Sequence, residues 1–240
     1  MVRSSRRRSG LFAVAAAGCF LTVAVIAVLV HAGWTSLDDV DRDFGTPAEV
    51  WSLHHAGAVT ILLAIEIMFG TIGTVLYTLL LLGVLWRAGH HRAIVWTVVV
   101  MVGTSATTTC MKLLFRRQRP QWDDSVHTLT SYSFPSGHAS GIASGMGVVV
   151  VLTALYVHRN AVRRSVFTAS AALVVVVGAD RILLGVHNLS DVLAGYAVAG
   201  CWVFTMLIAY PPELSPATRR EPPSGSPSRS IAEASRSHHG

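Results

Sequence analysis

A chain of 240 residues, 52% of them hydrophobic and only 13% charged, with a mean hydropathy of +0.52, is too apolar for an ordinary soluble domain. Its net charge of +6 does not call for nucleic acid, because in a membrane chain the distribution of charge matters more than its sum. The expected fold class is all-α, a polytopic membrane helix bundle of about six transmembrane helices, with the lipid bilayer as first partner, no nucleic acid partner and an oligomeric state left open.

In chain order, the apolar runs suggest spans at 11–31, 67–86, 93–113, 138–157, 165–186 and 191–210, each near the roughly 20 residues that cross a bilayer. Residues 1–10 carry Arg3, Arg6, Arg7 and Arg8, which under the positive-inside rule keep the N-terminus cytoplasmic. The first apolar run exceeds the core of a usual signal peptide, so a retained helix is expected. Cys19, Cys110 and Cys201 fall inside apolar runs and read as small buried hydrophobes, with no disulfide framework and no metal site.

Between the first two spans lies an acidic stretch with Asp38, Asp39, Asp41, Asp43 and Glu49, as expected outside the cell. From Pro47 to Ile67 the chain is apolar again, and its length predicts a helix in the outer interface. The alternate short loops hold Arg87 and Arg92, then Arg159, Arg163 and Arg164, and the tail adds Arg219, Arg220, Arg229 and Arg236. With the N-terminal four these are thirteen of the 19 basic residues, all on one side. Both termini are therefore expected in the cytoplasm of a multi-pass plasma-membrane protein. Residues 211–240, rich in Pro, Ser and Arg, are expected to form a disordered cytoplasmic tail after a membrane domain at 11–210.

Five of the remaining cations, Lys112, Arg116, Arg117, Arg119 and Arg181, gather at the outer ends of the third and fifth spans. Topology does not explain them, and anion binding does. On a continuous helix, positions 112, 116 and 119 share a stripe, and the residue before Pro120 is disfavoured in helical backbone, so the helix is expected to end at Arg119. Arg116 and Arg117 read equally as substrate or lipid head-group contacts. In the second segment, Pro135-Ser136-Gly137-His138, proline starts a helix and the N–H groups of Ser136, Gly137 and His138 are expected to be unpaired donors at its positive end, a cradle for phosphate. The third runs from Asp180-Arg181 to His187 and Asp191; four apart on a helix, these last two would let the carboxylate fix the imidazole tautomer.

Jointly the three segments resemble the phosphatidic acid phosphatase type 2 family, which shares its site with vanadium haloperoxidases: lysine, six residues, Arg-Pro; Pro-Ser-Gly-His; then Ser-Arg, five residues, His, three residues, Asp. Here the pattern stands as Lys112 with Arg119-Pro120, Pro135 to His138, and Arg181, His187 and Asp191, over about residues 60–210. Asp180 replaces the family serine and sets a carboxylate beside the expected phosphate site. The resemblance implies a membrane hydrolase of a lipid phosphate monoester or diphosphate (polyprenyl diphosphate, phosphatidic acid or phosphatidylglycerol phosphate), with the site extracytoplasmic. It implies His187 as nucleophile through a phosphohistidine, Asp191 orienting it, and His138 as acid and then base. Lys112, Arg119, Arg181, Ser136 and Gly137 would hold the phosphate, with no metal ion and no cofactor. The rival readings are a phosphatase of small soluble esters and a non-catalytic lipid-binding or transport protein that keeps the fold. Glu66 reads as a buried polar residue, a helix-start carboxylate or a substrate contact, and Gly70, Gly73, Gly195 and Gly200 as sites of close helix packing.

Overall fold

The computed structural model describes residues 2–121 and 130–212, with side chains from Ser9 onward. The tail expected at 211–240 thus lies, beyond Pro212, outside the described residues. Among the described residues eight helices run in chain order: α1 (Val2–His31), α2 (Thr35–His54), α3 (Ala56–Phe69), α4 (Thr71–Arg87), α5 (His91–Phe115), α6 (Gly137–Tyr156), α7 (Asn160–Leu183) and α8 (Leu189–Ala209). Ser9–His31 and the whole of α5, α6, α7 and α8 are long and apolar enough to cross a membrane. The 17 residues of α4 rise about 26 Å and occupy the second predicted span. The chain is an all-helical, multi-pass membrane protein.

The helix expected from Pro47 to Ile67 is not continuous. α2 and α3 meet at His55 with a bend of 114°. The two halves differ in character: α2 carries the acidic residues, whereas α3 is apolar except for Thr60 and Glu66 near its end. A single straight helix cannot serve an aqueous and an apolar environment at once. α2 is anchored instead by polar contacts, the Ser52 hydroxyl donating to the Leu183 carbonyl at the end of α7.

α6 and α8 form the centre, packing on each other with α1 against α8, and α5 and α7 against α6. Glycine permits the approach: a Cβ at Gly195 would stand 2.7 Å from the Ser136 carbonyl oxygen and 3.1 Å from Ala139 Cβ. Gly200 meets Cys19 of α1 in the same way. Far from the three motifs, Trp96, Val100, Val148, Leu152 and Val203 make a buried apolar cluster. At that end Arg92 donates to the Pro211 carbonyl and lies 3.9 Å from the centre of the Tyr210 ring, while His90 stacks on Tyr156. The start of α5 and the ends of α6 and α8 therefore share one face of the bundle, and the three motifs meet at the other.

Candidate active site

The first motif does not end as its spacing suggests. α5 stops at Phe115, four residues before Arg119, because Arg116 takes left-handed backbone with φ 47° and its N–H closes on the Lys112 carbonyl at 3.0 Å. No helical stripe joins 112, 116 and 119. Beyond the cap the chain folds back, throwing Arg116 outward and still bringing Arg119 into the cavity that Lys112 faces. Lys112 Nζ donates to the Tyr132 carbonyl, and Arg119 donates to Ser131 O at 2.8 Å, Ser131 Oγ at 3.0 Å and the Val186 carbonyl. Both cations are held by backbone oxygens, which a phosphate oxygen can replace as acceptor.

The second motif begins α6. A cis peptide joins Phe134 to Pro135, and the Ser136 hydroxyl caps the helix by accepting from the Ala139 N–H. The Ser136 N–H, expected to be an unpaired donor, instead donates to the Asp191 carbonyl at 2.9 Å. A peptide group packed between α6 and α8 has to find a partner, and the turn supplies one. Gly137 and His138 line the cavity, at the end of the helix whose first N–H groups have no intrahelical acceptor. His138 Nε2 lies 3.2 Å from the Glu66 carbonyl, and a carbonyl only accepts, so this nitrogen carries the proton.

α7 ends at Gly185, whose φ of +68° suits glycine, and the Val186 and His187 N–H groups both turn back to the Arg181 carbonyl. That reversal sets His187 one residue before the cap of α8 rather than on a helix. Asp191, at the third helical position, closes a capping box: its Oδ2 accepts from the Asn188 N–H at 2.9 Å and stands 3.5 Å from His187 Nδ1. On the other edge of the ring, Arg119 Nη1 lies 3.3 Å from His187 Nε2. A guanidinium has no acceptor, so Nε2 turns its lone pair to Arg119 at the cavity edge while Nδ1 holds the proton toward Asp191. His187 is 3% exposed; burial disfavours its imidazolium and pushes its pKa down to about 4, against the pull of Asp191 in the other direction.

Lys112, Arg119, Gly137, His138 and His187 thus face a common cavity of about 600 Å³. Asp191 stands behind His187. Ser136 is buried under its own cap, and Arg181, 0% exposed, lies behind the wall with its guanidinium on Asp180 and 3.4 Å from Glu66. Asp180 therefore faces Arg181 and not the open cavity. Glu66, whose role the sequence left open, is itself part of the lining. Away from the motifs the cavity continues between α4, α5 and α6, past Thr74, Thr104 and Thr108 to Leu82, Val98 and Met101. Leu82 and Val98 are about 16 and 21 Å of helix from Thr71 and Lys112 at the polar mouth.

Sequence reading missed Asp41 and misjudged Arg117. Asp41 was one carboxylate among several in an acidic stretch; it is buried against Arg117 and Ser190. Arg117 faces these groups and Asp191 rather than the cavity.

The sequence model of the PAP2 superfamily matches residues 93–214, just over half of the chain. Phosphatidylglycerophosphatase B of Bacillus subtilis (strain 168) is 32% identical over 89 residues, a stretch that makes up 37% of this chain and 43% of that protein, less than half of its length. The crystal structure of a transmembrane PAP2 type phosphatidylglycerolphosphate phosphatase from Bacillus subtilis has the same fold, with a TM-score of 0.66 and 20% identity over 80% of this chain and 93% of that one. With the family match spanning α5 to α8 and all three motifs, this chain belongs to the PAP2 superfamily.

Proposed function

We propose that this protein hydrolyses a phosphate monoester or diphosphate of a membrane lipid through a phosphohistidine intermediate. The observation that carries the reading is one shared cavity: at its mouth two histidines and two cations, and beyond them an apolar channel between α4, α5 and α6. A small soluble ester has no use for the channel, and a lipid chain fills it.

In the first step the Nε2 lone pair of His187 attacks phosphorus; the Nε2–P bond forms as the P–O bond to the lipid breaks, and His138, entering as the imidazolium, gives a proton to the departing oxygen and is left neutral. Asp191 stabilises the positive ring while phosphorus is attached. In the second step His138 takes a proton from water, the water oxygen attacks phosphorus, the N–P bond breaks and inorganic phosphate leaves. Lys112, Arg119 and the N–H groups at the head of α6 hold the non-bridging oxygens throughout. Arg181 and Ser136 support this set from behind the wall, and Arg181 reaches the phosphate only if Glu66 yields.

The similar Bacillus proteins are phosphatidylglycerophosphatases by name, which makes phosphatidylglycerol phosphate the first substrate to test, ahead of phosphatidic acid and polyprenyl diphosphates. The arginine distribution favours a site on the outer face of the plasma membrane, with both termini in the cytoplasm. The test is phosphate release by the purified protein in detergent from these lipids and from glycerol phosphate. Release from a lipid, undiminished by EDTA and blocked by vanadate, supports the reading; turnover of glycerol phosphate alone contradicts it.

A further inference from the structure

A buried polar network lies on the side of Asp191 away from His187, and no step above uses it. Its remote member is Asp41 of α2, a helix outside residues 93–214 that the family pattern covers. Asp41 Oδ1 accepts from the Ser190 N–H at 2.9 Å, and Oδ2 accepts from Ser190 Oγ at 2.6 Å and from Arg117 Nη2 at 2.8 Å. Arg117 Nη1 in turn donates to Asp191 Oδ1 at 2.8 Å and to Ser190 Oγ at 2.7 Å. The Arg117 backbone is held too, its carbonyl accepting from the Ser133 N–H at 2.9 Å.

The chemistry of this arrangement is specific. Two buried carboxylates repel each other and are costly to desolvate unless a cation lies between them. The planar fork of a guanidinium serves both at once, which an ammonium cannot do. With Oδ1 engaged by Arg117, the Asp191 carboxylate cannot rotate freely, so Oδ2 stays directed at Asn188 N and His187 Nδ1. A carboxylate free to turn would release the ring and let the other tautomer form.

We propose that Asp41 and Arg117 are positioning residues for the His187 nucleophile: α2 holds the guanidinium, the guanidinium holds Asp191, and Asp191 holds the imidazole. The proposal rests on the reading of His187 as the group that attacks phosphorus. It makes α2 part of the catalytic apparatus, so that displacement of this helix lowers turnover without altering the cavity.

The test uses the full chain in detergent with Arg117→Gln, Arg117→Lys and Asp41→Asn. Turnover on the lipid phosphate is measured together with the pH dependence of diethylpyrocarbonate addition to His187, followed by mass spectrometry of its peptide. Arg117→Gln is expected to lower kcat on the order of 10- to 100-fold, the usual loss for a residue that orients a catalytic group through another, with KM little changed. His187 should also titrate at higher pH, since a cation has been removed while Asp191 of α8 keeps its charge and Lys112 of α5, Arg119 and His138 of α6 stay in place. Arg117→Lys should regain part of kcat, and Asp41→Asn should fall between. Should Arg117→Gln not fold, the other two variants, which keep size and polarity, decide the matter. Unchanged kcat and unchanged His187 titration in variants that elute and melt like the wild type would overturn the proposal. A wild type that releases no phosphate from any lipid would sink the phosphatase reading alone, because the His187 titration still reports whether Arg117 acts on it.

Discussion

Arg181 Nη1 stands 3.4 Å from Glu66 Oε1, with Asp180 bonded to the other side of the same guanidinium. Two carboxylates around one fully buried cation leave it little positive field for a substrate. Replacing Asp180 by serine, the residue of the family pattern, has two expected effects. The folded state loses up to about 3–5 kcal/mol, because a buried charge loses a partner. At the same time KM for the lipid phosphate falls, because one of the two carboxylates that offset the Arg181 charge is gone and more of its positive field reaches the cavity. Inorganic phosphate should restore more of the melting temperature in Asp180→Ser than in the wild type, since the bound anion supplies the missing charge. Equal phosphate effects on both proteins would show that Asp180 does not tune the site.

The pH dependence follows from His187. Its folded pKa lies at about 4, below the ordinary 6.5, so the ring is neutral and nucleophilic at every pH above about 4. Activity should persist as pH falls through 6.5 and fail only toward 4, once kcat/KM is corrected for the ionisation of the substrate. Stability carries the same sign. Between 6.5 and 4 the unfolded chain takes up a proton that folded His187 refuses, so the contribution present above 6.5 is lost as pH falls. An acid limb at 6.5 in the corrected profile would mean that the buried environment does not hold this ring neutral.

Much of the site was legible because its signals are local. Pro135 to His138 is a helix start readable from four residues, and the spacing of His187 and Asp191, four apart, is equally short-range. The apolar runs placed the membrane-crossing part of α1 and α4 to α8 within a few residues, since crossing hydrocarbon leaves little freedom in composition. What could not be read was of two kinds. The end of α5 depends on Arg116 adopting left-handed backbone, for which arginine has no propensity, so spacing alone carried the helix on to Arg119. Asp41 and Ser190 meet across 149 residues of sequence, and nothing near Asp41 distinguishes it from Asp39 or Asp43, which are exposed.

Sidedness is testable apart from the chemistry. Asp43, on the helix that reaches the site, and Asn160, at the opposite end of the bundle, are both exposed. With Cys19, Cys110 and Cys201 replaced, a single cysteine at position 43 should react with a membrane-impermeant maleimide on intact cells, and one at 160 only after lysis. The reverse pattern would put the cavity mouth in the cytoplasm and remove outer-leaflet lipids as substrates.

The nucleophile itself is tested by trapping. Wild-type protein mixed with lipid carrying a radiolabelled terminal phosphate and quenched within one turnover should hold label on the peptide that contains His187, stable to base and released by acid. In His187→Ala the label and the phosphate release should both vanish, while the protein still inserts in the membrane and melts as a folded chain. Label retained on His187→Ala, or phosphate released from it at the wild-type rate, would contradict the assignment of His187 as the group that attacks phosphorus.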